Sequence, residues 1–82
     1  MSITMTALQY NILPSFKQLS LVWSKGVYLA KRIEDHFSVM LYQLQSFYVE
    51  VYYDNQEGEV EKIYSFNETD NLEPYLPKLN IT

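Results

Sequence analysis

The stretch FYVEVYYD, Phe47 to Asp54, decides how this chain is read. Its residues are almost all aromatic or β-branched, the types that fit a pleated, half-buried surface, so it reads as a strand. Phe47, Val49, Val51 and Tyr53 then share one face, while Tyr48, Glu50 and Tyr52 share the other. One carboxylate, Glu50, stands in aromatic company. It is either a buried group that needs partners or a solvent-facing strand residue.

Working outward, three turn signals cut residues 27–66 into a four-stranded antiparallel meander, at about 27–33, 37–44, 47–54 and 60–66. Two-residue turns at Glu34-Asp35 and Gln45-Ser46 pair Ile33 with His36 and Leu44 with Phe47. Side-chain parity then follows across the sheet. The first face collects Val27, Leu29, Ile33, Met40, Tyr42, Leu44, Phe47, Val49, Val51 and Tyr53, with Lys31 and Ser38 as its polar members. That composition predicts a core face. The third turn, NQEGE at 55–59, fits Gly58 in the left-handed conformation followed by a bulge, which adds Ile63 to the same face.

Before the sheet, Phe16, Leu19, Val22 and Trp23 recur at helical spacing behind Pro14, and predict a helix over about 14–24. Gly26 and Lys25 suit its C-terminal end. A competing reading makes residues 16–34 one amphipathic helix, at the cost of Gly26 in its middle, about 1 kcal/mol against Ala. After the sheet, Leu72, Leu76 and Leu79 predict a short C-terminal helical segment, limited by Pro74 and Pro77. The fold class is α+β, and 82 residues are expected to form one domain.

Composition narrows the function classes. The chain is 48% hydrophobic and 16% aromatic, so it is expected to fold. It contains no cysteine, which excludes disulfides and thiolate metal sites and favours a reducing, cytoplasmic setting. No apolar run reaches the roughly 18 residues of a membrane span, and no basic residue precedes Lys17 as an export signal requires, so no membrane association is expected. The net charge of −4 is divided unevenly, with residues 1–49 basic on balance and residues 50–82 acidic. Nucleic-acid binding relies on a basic footprint, which Lys31-Arg32 alone do not make.

Catalytic motifs are absent. His36 is the single histidine and falls in a turn, and DNQEGE at 54–59 lacks the spacing of a calcium loop. Neither a cofactor nor a metal is expected, and the protein is not read as an enzyme.

What remains is the second face: Tyr28, Ala30, Arg32, Phe37, Val39, Leu41, Gln43, Tyr48, Glu50, Tyr52, Val60, Lys62, Tyr64 and Phe66. It is too apolar for open water, and large uncovered apolar patches mark interfaces. The expectation is a small protein-interaction module that self-associates, most simply as a homodimer, or binds a partner protein. Its candidate contact residues are Tyr28, Phe37, Leu41, Tyr48, Glu50, Tyr52, Lys62, Tyr64 and Phe66. The alternative is a small-molecule binding domain with a shallow aromatic pocket around Glu50, where Tyr64 lies opposite and Lys62 diagonally.

Overall fold

Tight turns set the sheet. The computed structural model describes residues 5–67 and 74–75. Asp35 and Gln45 take up positive φ, 55° and 56°, at the first position of two-residue turns Asp35-His36 and Gln45-Ser46. The strands they join are β1 (Val27–Glu34), β2 (Phe37–Leu44) and β3 (Phe47–Asp54), and a longer turn over 55–58 leads into β4 (Glu59–Phe66). In that turn the Asp54 Oδ1 accepts from the amides of Gln56 and Glu57 at 2.9 and 3.0 Å, and Gly58 has φ 72°. The sheet is antiparallel with spatial order β1-β2-β3-β4.

The first turn lies one residue later than expected, so Glu34 pairs with Phe37 and Ile33 with Ser38 rather than His36. Moving a two-residue turn by one position shifts the pairing by two, which leaves each residue on its face. Two bulges do change faces. In β1 the register slips between Tyr28 and Ala30, so Tyr28 pairs with Tyr42 and joins the first face, while Val27 pairs with Gln43 on the second. In β4 the slip opposite Tyr52 and Tyr53 pairs Val60 with Tyr53, again on the first face. An extra residue reverses the alternation of everything beyond it. Leu29, expected on the first face, sits at the β1 slip and packs against the second-face residues Ala30 and Leu41.

Two helices cover the first face: α1 (Ala7–Asn11) and α2 (Ser15–Lys25). The sequence reading missed α1. Its signal was a capping box, in which Thr6 Oγ1 accepts from the Gln9 amide at 3.2 Å and Gln9 Oε1 accepts from the Thr6 amide at 2.9 Å. Pro14 is the cap of α2 and not its first turn. Gly26 ends α2 in an extended conformation, with its amide 2.9 Å from the Val22 carbonyl oxygen. Glycine is required there for space, since a Cβ would lie 2.4 Å from that oxygen.

The α2 face that meets the sheet differs from the expected one. Val22 and Gln18 are buried, whereas Phe16 and Trp23 are 72% and 59% exposed. Gln18 is tolerated inside because its Nε2 donates to the Tyr10 carbonyl at 2.9 Å and its own carbonyl accepts from the Tyr10 hydroxyl at 2.6 Å. That reciprocal pair locks α1 to α2 and fixes the rotation of α2. The first core thus joins Ala7, Tyr10 and Val22 to Leu44, Phe47, Val49 and Val51. Val27 and Ile33, on the outer strand β1, are left exposed. An 11-residue helix spans about 16 Å, too short to roof four strands. Strand β3, hydrogen-bonded to a neighbour on each side, is buried on both faces except at the half-buried Tyr48 and Tyr53.

Leu72, Leu76 and Leu79, expected to dock the C-terminal segment, lie outside the described residues. Pro74 and Tyr75 form a short 3₁₀ turn, and Tyr75 is fully buried.

Burial pushes the Tyr10 hydroxyl up to about 12 from its ordinary 10. A phenol held neutral in the fold stabilises it fully below about pH 10, and the contribution is lost as pH rises through the folded value. We expect Tyr10→Phe to reduce the fall of unfolding free energy between about pH 10 and 12 by up to about 1.4 kcal/mol per pH unit, read by denaturant titration. An unchanged slope would contradict the assignment.

Candidate functional site

On the second face the ladder places Ala30, Leu41, Glu50 and Tyr64 in one row across the four strands. The next row is Arg32, Val39, Tyr52 and Lys62. Glu50 is thus set into the central strand between apolar neighbours and is only 8% exposed. A buried carboxylate needs donors. It finds them in Arg32, whose Nη2 lies 3.3 Å from Glu50 Oε2, and in Tyr75, whose hydroxyl donates to the same oxygen at 2.5 Å.

Arg32 ties the group together. Its Nη2 also donates to the Tyr52 hydroxyl at 3.0 Å, and its Nη1 donates to Glu34, two residues along the same strand and on the same face. The guanidinium carbon lies 5.8 Å from the Tyr52 ring centre and 5.5 Å from that of Tyr75. Its Nε is buried with no hydrogen-bond partner among the described residues. Ala30 and Leu41 form a buried cluster with Tyr75, flanked by Leu29, Tyr48 and Phe66. The result is a cradle with apolar walls, a carboxylate at one end and a cation against the ring faces.

Electrostatics follow from this packing. Burial opposes the Arg32 charge, but the bond to Glu34, with Tyr75 close by, outweighs that and holds its pKa above the ordinary value. The Arg32 bond and charge hold Glu34 below the usual carboxylate range. Burial, reinforced by the nearby Glu50 charge, raises Tyr52. Burial and the bond to Glu50 raise Tyr75, so its phenol stays protonated at neutral pH.

Of the expected contact residues, Phe37, Leu41, Tyr48, Glu50, Tyr52, Lys62, Tyr64 and Phe66 share this face, and Tyr28 does not. The β1 bulge sends Tyr28 to the first face, where its ring lies 5.7 Å from that of Tyr42. Phe37 meets Tyr52 edge-on at 6.0 Å, Tyr52 meets Tyr64 edge-on at 5.7 Å, and Tyr48 stacks on Phe66 at 5.5 Å. Lys62 does not serve Glu50. Its ammonium lies over the Tyr52 and Tyr64 rings at 4.6 and 5.2 Å, consistent with its position directly opposite Tyr52. Leu41 is fully buried, whereas Tyr64 is half exposed.

Arg32 and Tyr75, the two partners of Glu50, and the wall residues Leu29 and Ala30 were not among the expected contact residues. Arg32 was legible as a second-face residue. Tyr75 had no periodic signal, because its segment carries two prolines within four residues. Away from the cradle, His36 Nε2 lies 3.5 Å from Asp54 Oδ2 and its carbonyl accepts from the Asn55 amide at 2.8 Å. It joins two neighbouring turns. Among the described residues no cluster of three or more His, Cys, Asp or Glu is placed to hold a metal.

No protein-family model matches the chain, and no curated protein or solved structure matches it.

Removing the Tyr75 hydroxyl leaves a buried carboxylate short of a donor. We expect Tyr75→Phe to lower stability by about 1.5–3 kcal/mol, the range for a hydrogen bond to a charged group. Tyr75→Ala adds a cavity and is expected to cost about 3–5 kcal/mol. Urea unfolding of both variants checks this, and a Tyr75→Phe variant as stable as the parent would contradict it.

Proposed function

We propose that the protein is a non-enzymatic interaction module that self-associates through its aromatic second sheet face. One observation carries the reading: both described helices lie against the first face, and among the described residues outside the sheet Tyr75 alone packs into the second-face cluster. Tyr64 is left half exposed, beside Tyr52 and under the Lys62 ammonium, and Tyr48 and Phe66 remain part-exposed. Rigid aromatic side chains cost little entropy to immobilise and bury large areas, which is why they concentrate at interface centres. A two-fold arrangement brings the same patch of both copies together and closes the assembly at a dimer.

A second reading is favoured by the outer surface of the helices. Leu8 and Ile12, four residues apart, are 78% and 83% exposed, and Phe16 and Trp23, two turns apart, face outward on α2. That surface suits a different protein partner.

Sedimentation separates the two. The expected mass at micromolar concentration is twice the 9.7 kDa of one chain. Tyr64→Glu is expected to return it to that of a single chain, and Trp23→Glu to leave it doubled. A single-chain mass for the parent protein, or loss of the doubled mass in Trp23→Glu alone, overturns the proposal.

A further inference from the structure

The helix side of the sheet presents a surface that self-association through the second face does not use. Leu8 and Ile12 on α1 and its C-terminal cap, and Phe16 and Trp23 on α2, are all exposed there. Neither Phe16 nor Trp23 lies in ring contact with another described aromatic residue. Several polar side chains beside them are already engaged within the protein. Thr6 and Gln9 cap α1, Asn11 Oδ1 accepts from the Ser65 hydroxyl at 2.6 Å, and the Ser24 hydroxyl donates to the Ser20 carbonyl oxygen at 2.8 Å. Groups satisfied in this way lower the cost of taking the surface out of water.

Charge divides along the same line. The first acidic residue of the chain is Glu34, so both helices are free of carboxylates and α2 carries Lys17 and Lys25. Neither lysine has an ion-pair partner among the described residues. The carboxylates lie elsewhere: Glu34, Asp54 and Glu59 share one second-face row with Phe37, Glu50 stands in another, and Asp35 and Glu57 are in turns. The helix side is therefore apolar and basic, and an anionic surface attracts it while repelling the opposite side.

We propose that the outer surface of α1 and α2 binds an anionic lipid surface, with Phe16 and Trp23 inserted at the interface and Lys17 and Lys25 reaching the headgroups. Trp is suited to that boundary, with an apolar ring and one polar N–H, and a lysine stem can lie on apolar surface while its ammonium stays at the anions. An 11-residue helix is too short to cross a hydrocarbon core of roughly 30 Å, so α2 lies along the surface. The sequence expectation of no membrane association concerned spans and export signals, which a helix lying in the interface does not need. A fluid lipid surface also accepts exposed side chains spread singly over two helices, where a protein partner needs a matching shape.

The test uses vesicles of phosphatidylcholine with and without phosphatidylserine. Trp23 is the single tryptophan, so its fluorescence reports the site directly. Vesicles containing phosphatidylserine are expected to shift its emission to the blue and to sediment with the protein, and lipids brominated in the acyl chains to quench it. Lys17→Gln/Lys25→Gln is expected to need about tenfold more lipid for half-maximal binding, and Phe16→Ser about fivefold more. All three positions are exposed, so the variants keep the fold, which circular dichroism checks. Emission that phosphatidylserine vesicles leave unmoved overturns the proposal in favour of a protein occupant. Equal binding of the parent protein to both kinds of vesicle, or of the lysine variant and the parent, overturns the role of charge and with it the choice of an anionic lipid.

Discussion

A carboxylate in the middle of a buried strand is the constraint on which the second half of this fold depends. Strand β3 is central, so Glu50 cannot reach solvent by lying at an edge, and it is only 8% exposed. Such a group is costly unless it is both paired and hydrogen-bonded. The requirement reaches in two directions. It draws Arg32 inward from the outer strand β1, and it draws Tyr75 back from the end of the chain. Arg32 in turn orders Tyr52 and Glu34. Four residues from β1, β3 and the C-terminal segment are thereby placed by the charge of Glu50.

The first face is organised differently. There the polar element is the neutral pair Tyr10–Gln18, both members satisfied by each other's backbone carbonyl, and it sets how α1 and α2 meet. Apolar burial against Leu44, Phe47, Val49 and Val51 does the rest. The two sides of the sheet accordingly differ in kind, with one roofed by helices and the other closed around an ionic and aromatic cluster. Among the described residues only Tyr75 packs onto the second face from outside the sheet, and this asymmetry underlies the proposed function.

Much of the sheet was legible because β periodicity is strict. The pairing of Glu50 with Tyr64 and of Tyr52 with Lys62 follows from strand parity alone, and survives a first turn displaced by one residue. The bulges at the start of β1 and in β4 were not legible at the right positions, since a single extra residue leaves little trace in an apolar run, and Tyr28, Val27 and Val60 changed faces as a result. The rotation of α2 was also hidden. Phe16 and Trp23 look like core residues by hydropathy, and only the Tyr10–Gln18 exchange explains why a glutamine lies inside in their place. The partners of Glu50 were half visible: Arg32 by parity, Tyr75 not at all, because long-range docking of a proline-flanked segment has no local signature.

The central claim is that Glu50 and Tyr75 are energetically coupled, and are not merely neighbours in a crowded face. A double-mutant cycle over Glu50→Gln and Tyr75→Phe measures this directly, with unfolding free energies for the parent, both single variants and the double variant. The account predicts a coupling of about 1–3 kcal/mol, because each single change leaves a buried group with the wrong partner and the second change then costs far less. A coupling within about 0.3 kcal/mol of zero, the scatter expected for independent sites, would contradict it.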